Sequence, residues 1–544
     1  MPQTTSTLAL FRNRTFRVLW IAALASNFGG LVQAVGAAWM MATLSQSQSM
    51  VALVQSSVTL PIMIFSLAAG VFADNFDRRR VMLVAQGFML VVSFVLAFLA
   101  YNELLTPWLL LGFTFLIGCG TALHNPSWQA SMGDIVPRDD LSSAVSLNSM
   151  GFNMMRSIGP AAGGAIVAIA GVAAAFAVNA ISYFAIIGAL LAWRPAVAAR
   201  RLPREPFGGA FAAGLRYVAM SPNLLRVIMR GFVFGLSAVA IQALLPIVVR
   251  DHLSGGAFLY GVMLGCFGMG AVVGALANAR LRARFHNERI TKIAFFGFAG
   301  STAILAFMTS AVIAGAALLV AGACWVVALS LFNVTMQLST PRWVVGRVLA
   351  LYQTGVFGGM ASGSWIWGEM SETFGTDTAL LVAAGVLIIG AVIGIPAPLP
   401  DFGETNLDPL NQFTEPPLQL ELTRRSGPIL IMIYYEIAQE DVQSFLATMN
   451  LRRRIRIRDG AQQWTLLRDL ENPDIWTESY HVPTWVEYIR HNERRTLADL
   501  GVTERLMELH KGPRPVRVHR MIERQAVPRR DDLPRRPQGK DPVP

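Results

Sequence analysis

The chain has 544 residues, 53% of them hydrophobic and only 15% charged. Soluble domains carry about 25% charged residues, so this balance excludes an ordinary soluble protein and points to lipid. Lys292, Lys511 and Lys540 are the only lysines, and the net charge of +11 falls, over the N-terminal part, in short segments between apolar stretches, which speaks against nucleic acid as a partner.

A bilayer core takes roughly 20 apolar residues per helix, and twelve such stretches can be read before Pro400. The first, near 16–41, carries Asn27 and Gln33. The segment before it, Met1 to Phe16, has no cleavable-signal pattern, so this stretch is expected to be a retained span. The second, near 50–73, carries Gln55 and runs into Gly70-Val-Phe-Ala-Asp74-Asn-Phe-Asp77-Arg78-Arg79-Arg80. Spans three and four lie near 80–101 and 106–131, with His124 and Asn125 in the latter. Spans five and six lie near 142–169 and 172–193, with Asn153 and Arg156 in five and Asn179 in six. Arg194 to Asn223 is polar, Arg-rich and Pro-containing, and reads as a linker with one amphipathic helix around Phe211–Met220. The second set lies near 225–249, 257–279, 290–312, 314–338, 346–371 and 377–397. It holds Gln242 in span seven, Asn333 and Gln337 in span ten, and Gln353 in span eleven.

Basic residues occupy alternate loops: Arg12, Arg14 and Arg17; Arg78 to Arg80; Arg138; Arg194, Arg200, Arg201 and Arg204; Arg280 to Lys292; Arg342 and Arg347. The intervening loops hold almost nothing basic beyond Arg250. The positive-inside rule then predicts cytoplasmic termini, a cytoplasmic linker and a multi-pass plasma (inner) membrane protein. Cys119, Cys266 and Cys324 all lie in apolar stretches and read as buried small hydrophobes, with no disulfide or metal spacing. The two halves also match each other. A shift of 204 residues sets Pro137-Arg138 on Pro341-Arg342, Leu147 on Leu351, Gly151 on Gly355, Gly159 on Gly363 and Gly164 on Gly368. Paired six-helix halves put a binding site near the midplane between them.

The segment Gly70 to Arg80 resembles the loop between helices 2 and 3 of the major facilitator superfamily of secondary transporters. The family form is Gly, three residues, Asp-Arg, one residue, Gly and two basic residues; here Asn75 replaces the Arg and Asp77 the Gly. The resemblance implies that Asp74 faces the start of span eleven and that Arg78 pairs with Asp134 at the end of span four. Gly70, Asp74, Arg78 and Asp134 are therefore the expected gating residues, a latch that would hold the outward-facing state. The plain alternative is a solvated charge cluster whose pairs contribute little. In span five, Gly159-Pro160-Ala-Ala-Gly163-Gly164 resembles the helix-5 motif of drug:proton antiporters in that superfamily, with Met155 where the family carries a glycine. Glycines allow close helix contact and the proline bends the helix; ordinary packing is the alternative. The stretches His124 to Gln129, Val136 to Leu141, Leu147-Asn-Ser, Pro341 to Arg347 and Gly355 to Gly368 look like the enterobactin-exporter-like branch, also called transmembrane secretion effectors, over about residues 8–400. This implies export of small amphipathic or siderophore-like molecules, driven by protons.

Polar groups at membrane depth are costly and usually face the bundle interior or a wet cavity. Arg156 stands about midway along span five, where an arginine costs about 2.5–3.5 kcal/mol on insertion scales. It should face water, an anion or a carboxylate, either as a substrate contact or as a structural ion pair. Asn27, Gln33, His124, Asn153, Gln242, Asn333 and Gln353 complete the expected substrate pathway. Each amide could equally join helices, worth about 0.6 kcal/mol. His124 suits proton coupling by its pKa range or simple packing. No carboxylate lies in the middle of span one, where several proton-coupled relatives carry one.

After Pro400 the composition changes. Asp401 to Arg425 reads as a linker. From Pro428 the expected order is strand (429–437), helix (440–454), strands (461–470 and 474–482), helix (484–499), a shorter helix (503–510) and strand (516–523), a ferredoxin-like pattern. It resembles the small dimeric α+β barrels that include antibiotic-biosynthesis monooxygenases. Trp464, Trp476 and Trp485 are expected in its core, and His481 and His491 are too scattered for a metal site. Val527 to Pro544 is Pro- and charge-rich, a composition of disorder.

The expected fold is an all-α membrane protein of twelve transmembrane helices in two six-helix halves, plus a C-terminal α+β ferredoxin-like domain. The expected limits are 1–193, linker 194–224, 225–400, linker 401–425, 426–525 and tail 526–544. The expected function is proton-coupled export by alternating access, with no enzymatic activity, cofactor or metal. Expected partners are a small-molecule substrate, protons, the lipid bilayer and a second copy through the C-terminal domain. The alternatives are an importer, a lipid flippase, or a membrane-anchored enzyme or sensor acting through that domain.

Overall fold

The computed structural model describes residues 7–137, 140–194, 207–341, 343–399, 406–408, 410 and 413–523. The N-terminal helices are α1 (Arg14–Leu44), α2 (Gln48–Asn75), α3 (Arg78–Tyr101), α4 (Pro107–Ile135) and α5 (Leu141–Ala192). A short helix, α6 (Phe207–Ala219), precedes α7 (Pro222–Ile247), α8 (Ala257–Arg284), α9 (Asn287–Phe307), α10 (Ala311–Leu338), α11 (Val345–Phe374) and α12 (Thr376–Val392). Among the described residues, nine helices are long and apolar enough to cross a membrane. Their starts follow from local chemistry. Asn13 accepts from the amides of Thr15 and Phe16 to cap α1, and Thr106 accepts from Leu109 to cap α4, whose first residue is Pro107.

α5 needs a break. A straight helix of its 52 residues would run about 78 Å, far beyond a hydrocarbon core of about 30 Å. Gly171, at φ 80° and ψ 172°, breaks it into arms 141–170 and 172–192, the junction expected between spans five and six. Only glycine adopts that backbone readily. Span nine was expected to reach residue 312, but α9 ends at Phe307 and Ser310 opens α10 by accepting from the Ala314 amide.

Two compact units divide the chain. The first comprises Met1–Phe207, Asn223–Met336 and Leu349–Phe402. Its helices pack as α1 with α5, α2 with α4, α3 with α4 and α5, α5 with α8, and α9 with α12. A buried polar knot ties α1, α3 and α5: the Gln33 Oε1 accepts from Ser93 Oγ at 3.1 Å and from Asn179 Nδ2, and Asn179 also meets Ser93 Oγ and the Tyr183 hydroxyl.

The second unit joins segments that the sequence keeps apart: Gly208–Pro222, Gln337–Val348 and Gly403–Pro544. Its sheet is β1 (Ile429–Glu436), β2 (Gln462–Arg468), β3 (Ile475–Val482) and β4 (Arg517–Ile522), all antiparallel in the order β2-β3-β1-β4. Between the strands lie α13 (Val442–Asp459), α14 (Trp485–Glu493) and α15 (Leu500–Leu509). α13 runs past the expected Arg454 and stops at Gly460, whose φ of 125° ends it. The single helix expected over 484–499 is divided, because Thr496 and Asp499 form a capping box that starts a new turn. Ile429, Ile431, Ile433 and Tyr435 alternate into a core with Phe445, Trp476, Tyr480 and Trp485. Two cation–aromatic contacts hold the three segments together. Arg494 lies 4.4 Å from the Trp343 ring centre and Arg458 5.6 Å from that of Tyr217, while Tyr217 and Trp343 meet edge to face at 5.8 Å.

Glu478 is fully buried in this core and is well provided for. It accepts from Arg456 Nε, Trp464 Nε1 and the Tyr435 hydroxyl, each at 3.1 Å, and Arg452 Nε lies 3.6 Å away. Burial pushes its carboxyl pKa up, but Arg456 and Arg452 outweigh it and hold the group below the usual carboxylate range. Burial, reinforced by Arg456 and Arg494, holds His491 well below its ordinary value. Removing one member of such a buried cluster strands the others, at a cost of about 3–5 kcal/mol. Glu478→Ala in the full chain is therefore expected to lower hydrogen-exchange protection of β1 and β3 by that order. Because the folded carboxyl is depressed, its contribution is present above the unfolded pKa of about 4.3 and fades as pH falls through the folded value. Glu478→Ala should accordingly flatten the acid limb of the protection profile.

Candidate functional site

The two sets of membrane helices meet along two seams. In the first, α5 lies backbone to backbone on α8: a Cβ built on Gly164 would stand 2.8 Å from the Gly261 Cα, and one on Gly261 would stand 2.7 Å from the Gly164 Cα. Gly159 and Gly163 face the other way, against Leu31 and Val32 of α1, and the Pro160 carbonyl lies against Gly261. In the second seam α2 runs along α11, with Ser66 Oγ 2.8 Å from Thr354 Oγ1 and Ser56 Oγ donating to the Ala361 carbonyl at 2.8 Å. Gln55 Nε2 reaches Gln242 Oε1 of α7 at 3.4 Å.

At the end carrying the α1–α2, α7–α8 and α11–α12 connections, further contacts cross between the halves. Ser47 Oγ and the Ser49 amide donate to Glu372 at 2.6 and 3.0 Å, and Ser49 Oγ donates to Glu369 at 3.0 Å. Arg250 Nη1 donates to the Ala42 carbonyl at 2.6 Å, and Trp39 stacks on Tyr260.

Arg156 sits on the α5 seam. It is half-buried, and its guanidinium carbon lies 5.6 Å from the Phe267 ring centre on α8 and 5.8 Å from that of Trp325 on α10. Phe267 and Trp325 belong to an aromatic cluster with Phe234, Phe295, Phe298 and Phe332. No carboxylate pairs with Arg156 among the described residues.

The other expected pathway residues scatter. Asn27 and Gln353 are half-buried on α1 and α11, and Asn333 on α10. Gln33 lies in the buried knot, its oxygen taken by two protein donors. Asn153 Nδ2 donates to the Ser149 carbonyl of its own helix. His124 Nδ1 lies 3.2 Å from Gln86 Nε2 of α3, with its ring stacked on Trp128.

The gating segment is more helical than a loop. Gly70 and Asp74 lie in the last turns of α2, and their side chains are outside the described residues, as is Arg138. Arg78 Nη1 stands 2.8 Å from Asp134 Oδ2 and donates to the Ala130 carbonyl at 2.9 Å. Asp77, in the place of the family glycine, caps α3 by accepting from the amides of Arg79 and Arg80. Arg79 donates through Nε and Nη2 to the carbonyls of Leu190 and Leu191, closing the C-terminus of α5.

Sequence reasoning missed a second buried cation. Arg230 of α7 pairs with Glu288 at 2.8 Å, donates to the Gly390 carbonyl of α12 and lies over Phe295. Glu288 also accepts from the Leu399 amide at 3.1 Å. Arg230 lies inside the stretch read as 225–249, so it carries the same signal as Arg156.

The transmembrane secretion effector family model matches residues 5–527. The chain is 24% identical over 255 residues to the staphyloferrin A transporter of Staphylococcus aureus, a match covering 46% of this chain and 62% of that protein, less than two thirds of its length. It is 27% identical over 334 residues to the enterobactin exporter of Escherichia coli O1:K1, covering 60% of this chain and 78% of that one. A macrolide efflux protein of Streptococcus pyogenes is 24% identical over 38% of this chain and 56% of that protein. Among solved structures, a bacterial homologue of the human lysosomal transporter Spinster, inward-facing and occupied, superposes with a TM-score of 0.57 at 13% identity, over 71% of this chain and 97% of that one. A POT family transporter in complex with a thioalcohol-conjugated peptide gives 0.59 at 12% identity, over 70% and 96%. At these identities the structures speak for the fold alone.

Overpacking a close seam costs about 1–3 kcal/mol. Gly261→Val is expected to lower the thermal midpoint of the detergent-solubilised chain. Gly300→Val, where a Cβ meets nothing within 4 Å, should leave it unchanged.

Proposed function

Because the chain belongs to the transmembrane secretion effector family of major facilitator transporters, we propose that it exports small amphipathic molecules by alternating access, driven by protons. Siderophores and macrolides, named for its distant relatives, mark the substrate range. Twelve spans are counted when α5 is taken as two arms and α11 and α12 are included. The arginine-rich loops argue for a plasma membrane location with the termini cytoplasmic. In that orientation the end joined through Ser47, Ser49 and Arg250 is the outer one.

The observation that carries this reading is Arg156. A charge at membrane depth marks a pathway by default, and this one lies where α5 of one half meets α8 and α10 of the other. Rocking of the halves would change its surroundings first. Arg78 and Asp134, 2.8 Å apart, are read with Asp74 as the cytoplasmic latch. Asn27, His124, Gln242, Asn333 and Gln353 are read as wall residues and the Gly159–Gly164 motif as the sliding surface.

The strand order β2-β3-β1-β4 supports reading the tail as a ferredoxin-like domain. Its second sheet face carries Leu430, Met432, Tyr434, Leu467 and Met521, a surface suited to a second copy. The tail is read as a dimerisation or regulatory element without catalysis.

The test is efflux from proteoliposomes under an imposed pH gradient, screened with siderophore-like and macrolide compounds. The wild-type chain should move at least one of them only when the gradient is present. Arg156→Ala is expected to abolish that transport at unchanged expression, and Asp134→Asn to slow turnover with substrate affinity intact. Transport unaffected by Arg156→Ala would remove Arg156 from the pathway.

A further inference from the structure

Several arginines of the bundle have oxygen partners. Arg78 has Asp134, Arg230 has Glu288 and the Gly390 carbonyl, Arg250 has Asp251 and the Ala42 carbonyl, and Arg79 has two helix-end carbonyls. Arg156 has two aromatic faces, and among the described residues no hydrogen bond and no ion pair. A ring face attracts a cation through its quadrupole but brings no net charge. It also leaves the five N–H donors of a guanidinium, laid out in a planar fork, without oxygen acceptors. The side chain is half-buried rather than sealed, so these donors remain within reach of a guest. In a low-dielectric site the fork favours an oxyanion, which it can take bidentately.

We propose that Arg156 is the residue that selects the charge of the transported molecule, and that this molecule is an amphipathic anion. Its carboxylate, sulfonate or comparable oxyanion would lie on the guanidinium, on the side that Phe267 and Trp325 do not cover. This rests on the export reading above only for the word transported; the anion site stands on the geometry. The rings behind Trp325 are buried against one another and fix the wall on which the guanidinium lies.

The test compares two probes with the same ring body. Anilinonaphthalene sulfonate carries the anion, and N-phenylnaphthylamine is its neutral parent; tetraphenylphosphonium is the cationic control. Binding is measured on the full chain in nanodiscs, with empty nanodiscs subtracted. A hydrogen-bonded charge pair corresponds to roughly tenfold or more in affinity. Wild-type protein should therefore bind the sulfonate at least about tenfold tighter than its parent, and R156Q should erase that preference. R156K, which keeps the charge without the fork, should retain part of it. A wild-type preference for the neutral or the cationic probe overturns the proposal however the variants fold, and so does an undiminished anion preference in folded R156Q. Export under a pH gradient separates the two readings. An anion bound through Arg156 but never moved would sink export and leave the site. A cation moved while the sulfonate neither binds nor moves would leave export standing and sink the anion proposal.

Discussion

The close approach of α5 to α8 is the constraint on which the arrangement of the membrane helices depends. Lipid tails are as apolar as leucine, so nothing like the aqueous hydrophobic effect drives helices together within a bilayer; contact itself must do it. Where Gly164 meets Gly261, main chains touch without intervening side chains. On another side of α5, Gly163 lies against the Val32 main chain of α1 and Gly159 against the Leu31 side chain. α5 is thus held on two sides by surfaces that admit no bulk, and the position of Arg156 follows. Two turns from Gly164 on the same helix, its side chain is delivered to the aromatic wall of the opposite half.

Charge follows the same economy. A bundle with few ionisable groups in its interior places most of them at helix ends, where free carbonyls and amides are available. Arg79 closes the end of α5, Asp77 opens α3, and Arg230 with Glu288 gathers α7, α9 and α12. These groups make fixed joints. Against that background Arg156 differs: among the described residues its contacts are the faces of Phe267 and Trp325.

Much of the membrane part is legible in the sequence because the bilayer imposes a length and apolarity that few other environments demand. The break at Gly171 falls between two stretches each long enough to span, and Arg156 is visible as an arginine in an apolar run. Partners are not legible. Gln33 and Gln242 look alike along the chain, yet one is enclosed by Ser93 and Asn179 and the other reaches Gln55. Glu288 lies far along the chain from Arg230, and no local pattern joins them. The strands of the tail could be read from alternation. Its division of the helix expected over 484–499 turned on a two-residue cap, Thr496 with Asp499, which periodicity does not register. The arginine–aromatic contacts of Tyr217 and Trp343 have no signature at all, since each ring sits in a short segment that reads as a connector.

Those two rings carry a consequence for the gene as much as for the molecule. Trp343 lies just before α11 and Tyr217 just before α7, yet their cationic partners are encoded more than a hundred codons downstream. A chain that stops after its last apolar helix is therefore not the transporter minus an appendix. It emerges with two aromatic side chains stripped of the arginines that cover them, in segments adjoining two helices of the C-terminal half. A nonsense mutation or an intentional cut near residue 400 thus alters what lies before it.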